Sequence, residues 1–218
     1  MGELQIMRFS SYKIFDEYAE KYDSWYWRNP ILFKCEAETI RSLKLNGRGL
    51  SIGVGSGTLD SQASVDVGID PSVNMLKLAS IRGIDVVRAT GEYLPFKDEV
   101  FDFTLITVTI CFLSSPEKAV LEARRVLRPQ GEIAVCIIPK DSSWGKEYMK
   151  KARKGHIFYS YARFYTLKEI KQLLEEHSFR VVTIKSTLSY SPHDKPRIEE
   201  PSEDPYGKGF VCIKAVKI

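Results

Sequence analysis

Three glycines at alternating positions, Gly53, Gly55 and Gly57, follow the short apolar run Leu50-Ser51-Ile52. Without a Cβ, a chain can turn sharply at the end of a strand and lie close against a ligand. Asp70 stands 13 residues beyond Gly57, at the end of a second apolar run, Val65 to Ile69. A carboxylate at such a strand tip can accept both hydrogens of a ribose diol in a charge-assisted bidentate contact. Its alternative is to cap the following helix through local backbone bonds, a role Ser72 can also fill. In the dinucleotide pattern G-x-G-x-x-G the third glycine comes one residue later, and a helix N-terminus faces the pyrophosphate. Here only about seven residues separate the loop from the second strand. That helix is truncated or absent, and a ligand without phosphate, such as an adenosyl group joined to an amino acid, fits better.

Aromatic residues are the second chemical feature. Tyr22, Trp25, Tyr26 and Trp27 precede the first long helix, and Phe158, Tyr159, Tyr161, Phe164 and Tyr165 form a later cluster. Aromatic faces can hold a sulfonium or an amine by cation–π contact and keep water out, or they can anchor the core. His156 is placed to serve as a general base, though a surface position explains it as well. Lys146, Lys150, Lys151, Arg153 and Lys154 read as a solvated helix face, or as an attractor for an acidic substrate or an RNA backbone. No catalytic side chain is nominated. The four cysteines, Cys35, Cys111, Cys136 and Cys212, hold no CxxC pair, and His156, His177 and His193 lie in unrelated contexts. Neither a disulfide nor a metal site is expected, and reduced thiols in a cytoplasmic setting are the simplest reading.

Positioning these residues requires alternating strands and helices. Pro30 to Leu45 predicts an amphipathic helix with Phe33, Ala37, Ile40 and Leu43 on its apolar face and Glu36, Glu38 and Arg41 elsewhere. Leu50 to Val54 and Val65 to Ile69 read as buried strands, and a helix from Val73 turns Met75, Leu76 and Ala79 inward until Gly83. Ile84 to Val87 and Asp102 to Phe112 are the third and fourth strands. Ser115 and Pro116 open a helix to Leu127, which Pro129-Gln130-Gly131 closes before a fifth strand, Ile133 to Ile138. Thr166 and Glu169 form a capping box, and Val181 to Ile184 and Phe210 to Val216 complete the strands. This order specifies a mostly parallel, doubly wound sheet in one domain over residues 1–218. Residues 139–165 and 188–208 read as long irregular stretches, which in a compact domain are usually functional.

The chain has 218 residues, 44% hydrophobic and 28% charged, so it folds as an ordinary globular protein. A net charge of +4 permits a polyanionic partner without requiring one. No stretch reaches the roughly 18 apolar residues of a membrane span, and the N-terminus lacks the apolar core of an export signal. Asn and Gln together occur only seven times, a bias found in heat-adapted proteins.

Several ordered pieces carry a resemblance: Tyr22-Asp23-Ser24-Trp25-Tyr26, Ser51-Ile52-Gly53-Val54-Gly55-Ser56-Gly57, Gly68-Ile69-Asp70-Pro71-Ser72, and Ala89-Thr90-Gly91-Glu92-Tyr93-Leu94-Pro95-Phe96. Val100-Phe101-Asp102-Phe103 and the run from Glu122 to Gly131 follow. In these the chain resembles the class I S-adenosylmethionine-dependent methyltransferases, in particular the branch that includes ubiquinone and menaquinone biosynthesis enzymes. The resemblance implies a Rossmann-like, three-layer αβα fold with strand seven antiparallel between strands five and six. It also implies S-adenosylmethionine as cofactor, lying across the C-terminal ends of strands one, two and four. Carried over by position, the glycine loop holds the methionine portion, Asp70 the ribose hydroxyls, and Thr90, Gly91 and Glu92 the adenine edge. Thr107 lies near the amino-acid end, and Tyr22, Pro71, Ser72 and Met75 complete the binding set. Two positions depart from the family: Ser51 stands where an acid is usual and Thr90 where an Asp is usual. Ser51 can still bond the cofactor's ammonium, without a charge.

A small-molecule methyl acceptor is favoured. The place after strand four reads Thr107-Val108-Thr109-Ile110-Cys111-Phe112, which lacks the Pro-Pro signature of exocyclic base-amine methylation, and no cysteine follows a proline. An RNA methyltransferase, a catalytically silent cofactor-binding protein and a nicotinamide-dependent oxidoreductase are the alternatives. Residues 12–28, 139–165 and 188–208 are expected to form a lid and acceptor pocket.

Overall fold

The structure, a computed structural model, describes residues 11–218. The expectation about an export signal falls largely on residues 1–10, outside that range. Helices α1 (Ser11–Glu17), α2 (Ala19–Arg28) and α3 (Pro30–Arg41) open it. Pro30 starts α3, where its missing N–H is no loss. Strand β1 (Gly49–Ile52) is buried at all four residues, as a strand covered on both faces must be. Then come β2 (Val67–Asp70), α4 (Val73–Ile81), β3 (Asp85–Arg88), β4 (Phe101–Thr107) and α5 (Pro116–Val126). β5 (Leu127–Ile137), α6 (Ser143–Arg153), α7 (Leu167–Glu176), β6 (Phe179–Thr187) and β7 (Phe210–Lys217) complete the chain.

The seven strands form one sheet in the order β3-β2-β1-β4-β5-β7-β6. All pairs are parallel except those of β7, which runs antiparallel to both neighbours. This is the Rossmann-like α/β arrangement expected. Alternation along each strand divides the core in two. Val135, Ile137, Val211 and Ile213 pack with Val120, Ala123, Ile170 and Leu174 of α5 and α7. On the other face Phe103, Leu105, Ala134 and Phe210 pack with Ile40, Ala79 and Tyr148 of α3, α4 and α6. β1 lies between β2 and β4, where the strand order reverses, so a crevice opens outside their C-terminal ends.

Several boundaries differ from expectation, each for a local reason. β4 stops at Thr107 because Val108 takes a φ of 53°, and a short 3-10 turn, Ile110–Phe112, follows. Pro129-Gln130-Gly131 does not separate α5 from β5; it is an irregularity inside β5, with Gln130 at a φ of 63° and a register shift against β4. Residues 139–165 are largely ordered as α6 and a 3-10 turn, Tyr159–Tyr161. Ser142 caps α6 by accepting the Gly145 N–H at 3.0 Å, and Trp144 and Tyr148, four apart, form its buried face.

The reduced-thiol expectation is overturned for one pair. Cys136 on β5 and Cys212 on β7 stand directly opposite one another, Cα atoms 4.0 Å apart, and form a disulfide. Their partnership follows from strand register across 76 residues, which a rule based on CxxC spacing cannot see. Cys35 and Cys111 are free. Among the described residues no helix is long and apolar enough to cross a membrane, and no cluster of three potential metal ligands occurs.

Candidate active site

The glycine loop leaves β1 with Gly53 and Val54 both donating to the Ile69 carbonyl, at 2.8 and 2.9 Å, which ties it to β2. Gly55 has a φ of 53°, and a Cβ built on it would meet nothing within 4 Å, since it borders a cavity. Gly57 acts differently, because its Cα face lies against Ile84 and Ala79 and so permits close packing on α4.

Asp70, at the tip of β2, accepts the Gly55 N–H at 3.1 Å and the Ser72 N–H at 2.8 Å. It therefore joins the glycine loop to the start of α4, while Ser72 caps that helix by accepting the Met75 N–H at 3.1 Å. Burial pushes the Asp70 carboxyl up to about 6, against the pull of those two N–H groups. Asp16 of α1 accepts from Ser72 Oγ at 2.8 Å and the Asn74 N–H at 3.0 Å, and the Asn74 N–H holds it below the usual carboxylate range.

Asp60, on the short 3-10 turn Asp60–Ala63, escaped the sequence reading. It is buried, lines the same cavity as Gly55, and accepts the Ser51 hydroxyl at 2.7 Å. Burial lifts its carboxyl to about 7. Ser51 is thus directed to Asp60 and does not itself line the cavity. Thr107, on β4, lines it with a buried Oγ1 that has no partner in hydrogen-bonding geometry. The departure at position 51 is accompanied by an acid nine residues later in the same loop.

Asp23 of α2 braces the loop from outside. Both its carboxylate oxygens take Arg82 Nη2 at 2.9 Å, Thr58 donates to it at 2.7 Å, and Arg82 also donates to the Ser56 carbonyl at 2.9 Å. Burial opposes its ionisation, but these bonds outweigh it and hold the carboxyl low. Glu92 is engaged as well, accepting the Ser114 and Ser115 N–H groups at 2.8 and 3.2 Å at the entry to α5.

Ten predicted positions converge on one cavity of about 380 Å³: Tyr22, Gly53, Gly55, Asp70 and Pro71 line it. Met75, Thr90, Gly91, Glu92 and Thr107 do so too. Ser51, Gly57 and Ser72 do not. A second cavity, about 730 Å³, adjoins it and shares Tyr22, Tyr26, Val108 and Phe112 with it. Its walls come from residues 12–28, 139–165 and 188–208 together, through Trp25, Trp144, Tyr148, Tyr159 and Tyr190 among others. His156 lines it with its ring stacked on Tyr159 at 4.3 Å, and burial and the nearby Lys151 press its pKa down. Lys146, Lys150, Arg153 and Lys154 are all exposed, as a solvated helix face is.

Glu36 also faces the second cavity. The sequence put it on the polar side of α3, but α3 is covered twice: by the sheet, and by the aromatic segments. Glu36 is 5% exposed.

The chain is similar to several known proteins. A family described as a methyltransferase domain matches residues 50–135. A solved structure from Thermotoga maritima, described as a SAM-dependent methyltransferase and possible histamine N-methyltransferase, superposes with a TM-score of 0.90 at 34% identity, covering 95% of this chain and 100% of that one. An uncharacterised protein of Methanocaldococcus jannaschii is 43% identical over 94% of this chain and 99% of its own length. A demethylmenaquinone methyltransferase of Corynebacterium kroppenstedtii is 31% identical over 46% of each chain.

Proposed function

This chain belongs to the class I S-adenosylmethionine-dependent methyltransferases, and from that premise we propose that the 380 Å³ cavity binds the cofactor while a small-molecule acceptor enters the adjoining aromatic one. The observation that carries this reading is the coupling of Asp70 to Gly55, which sets a carboxylate and an unobstructed backbone on one wall. Asp70 has lone pairs left for a ribose diol after its two backbone bonds. Asp60, held by Ser51, supplies the negative charge for the ammonium end that position 51 lacks, and the Thr107 hydroxyl, beside the Asp60 carboxyl, lies on the same wall. Thr90 and Gly91 border the adenine edge, and Glu92 fixes the loop beyond it.

When bound, the cofactor supplies a methyl group on a sulfonium, transferable by in-line displacement. The protein's work is then alignment and the exclusion of water, together worth up to about 7–11 kcal/mol. Phe15, Tyr22 and Phe158 pack against one another, ring centroids 5.2 to 5.5 Å apart, and bring α1, α2 and the segment after α6 together over the two cavities. Residues 12–28, 139–165 and 188–208 act as lid and acceptor pocket in this reading. Calorimetry with S-adenosylhomocysteine, with NADH as control, tests it. Micromolar binding of the first and none of the second is expected; NADH binding alone would sink the proposal.

A further inference from the structure

Among the described residues, the acids of the two cavities and of the glycine loop that are wholly or largely buried receive hydrogen bonds, with one exception. Asp23 has Arg82 and Thr58, Asp60 has Ser51, Asp70 has two backbone N–H groups, and Glu92 has two more. Glu36 is as deeply buried as these, yet no side chain or backbone group among the described residues donates to it and no cation forms an ion pair with it. The Glu36 carboxyl opens only onto the larger cavity, and a carboxyl held in so aromatic a lining is costly unless something entering the cavity satisfies it. Burial alone lifts its pKa to about 8.

The surroundings narrow what that partner is. Tyr22, Trp25, Tyr26, Trp144, Tyr148 and Tyr159 line the same cavity. Aromatic faces attract cations, and a carboxylate attracts the same charge while accepting its N–H bonds. None of the cations lining the cavity forms an ion pair with Glu36: Arg28 donates to Ser24 at 3.0 Å, Lys21 lies 5.6 Å from the ring of Tyr18, and Lys151 lies 5.5 Å from the ring of Tyr148 in the cavity wall. An anionic acceptor would meet Glu36 as a like charge, and a purely apolar one would leave it unpaired.

We propose that the acceptor molecule carries a cationic amine, its ammonium anchored on Glu36 as a binding group and its carbon frame held between the aromatic rings. This rests on the reading of the adjoining cavity as the cofactor site. Near pH 7 binding takes the form of an exchange, in which the protonated Glu36 carboxyl loses its proton to solvent and the resulting carboxylate pairs with the ammonium. Other groups facing the cavity do not supply that proton. The phenols of Tyr22, Tyr26, Tyr148, Tyr159 and Tyr190 are all pushed up by burial, as is the Cys111 thiol, and burial and Lys151 keep His156 low. Lys21, Arg28, Lys151 and Asp194 carry the remaining charges of the lining.

The test uses the full chain saturated with S-adenosylhomocysteine, titrated calorimetrically with benzylamine, 2-phenylethylamine and tryptamine, and with benzyl alcohol, 2-phenylethanol and tryptophol as neutral counterparts. At least one amine should bind at least about tenfold more tightly than its alcohol, with proton release at pH 7 read from the dependence of the enthalpy on buffer. Glu36→Gln, which mimics the protonated carboxyl, should keep its affinity for S-adenosylhomocysteine and lose both the preference and the proton release. Glu36→Asp, which draws the charge back by one methylene, should retain a reduced preference. Equal binding of amine and alcohol, no amine binding at all, or an unchanged preference in Glu36→Gln overturns the proposal alone. Failure to bind S-adenosylhomocysteine brings down the cofactor reading with it.

Discussion

The two cavities that meet at Tyr22, Tyr26, Val108 and Phe112 are built by different means. The smaller one is made at the ends of β1, β2 and β4 from backbone that the sheet holds in place, and its acids Asp60, Asp70 and Glu92 are tied by hydrogen bonds of 2.7 to 3.2 Å. The larger one takes much of its wall from three connecting segments packed over α3 and the strand ends, and its deeply buried acid, Glu36, receives no hydrogen bond from the described residues. A strand-end cavity suits a ligand every family member shares, because the sheet positions it whatever the connectors do. A cavity lined by connectors can vary while the sheet stays the same. Substitutions should therefore separate the two.

Gly55→Val should have the largest effect. Its side chain would enter open cavity at a φ of 53°. The strain costs about 1–2 kcal/mol of stability, while affinity for S-adenosylhomocysteine falls at least about a hundredfold because a β-branched group occupies the ligand's space. Calorimetry beside a melting curve checks both halves, and retained binding would move the cofactor site elsewhere. Asp70→Ala should cost about 1.5–3 kcal/mol of the same affinity, the worth of hydrogen bonds to a charged group. Since its carboxyl titrates near 6, the affinity of the native chain should rise as pH increases through 6, and an unchanged dissociation constant in the variant would leave Asp70 as a loop tie only.

Glu36→Gln should sharpen the contrast from the other side. With a folded-state pKa of about 8 above an unfolded value of 4.5, the native chain binds more protons folded than unfolded between those limits. Its stability then falls as pH rises from 4.5 towards 8 and levels above. The variant lacks this loss, so towards pH 8 it should be the more stable of the two. Melting temperatures of both proteins across pH 5 to 9 decide it; parallel curves would mean that Glu36 is solvated. Asp23→Ala, which leaves Arg82 and Thr58 without their acceptor, should cost about 1–2 kcal/mol and loosen α2 over the glycine loop. Faster hydrogen exchange across residues 19–28 is the measurement. The smallest expected change is added protection on S-adenosylhomocysteine binding in 12–28 and in 139–165 or 188–208. Identical exchange in all three segments in both states would mean that no lid closes.

Residue type and spacing were enough for the sheet and the cofactor side. The glycine triple and Asp70 are legible because each answers a local demand of the chain at a strand end, and α5 and α7 are legible because Ser115, Pro116, Thr166 and Glu169 satisfy their first turns from within a few residues. The helix over Ser143–Arg153 is legible only in part: Lys146, Lys150, Lys151 and Arg153 read as a solvated helix face, but the buried Trp144 and Tyr148 opposite them lie inside a stretch that reads as irregular, because what covers them comes from distant segments. Three features were decided only by tertiary structure. Cys136 meets Cys212 through the register of β5 on β7. Asp60 reaches Ser51 because a 3-10 turn folds the loop back beneath β1. Glu36 is buried because the connectors cover the side of α3 that the sheet does not. Local pattern records what a residue asks of its near neighbours in the chain; which distant side chain faces it, and whether water still reaches it, is settled only when the elements pack.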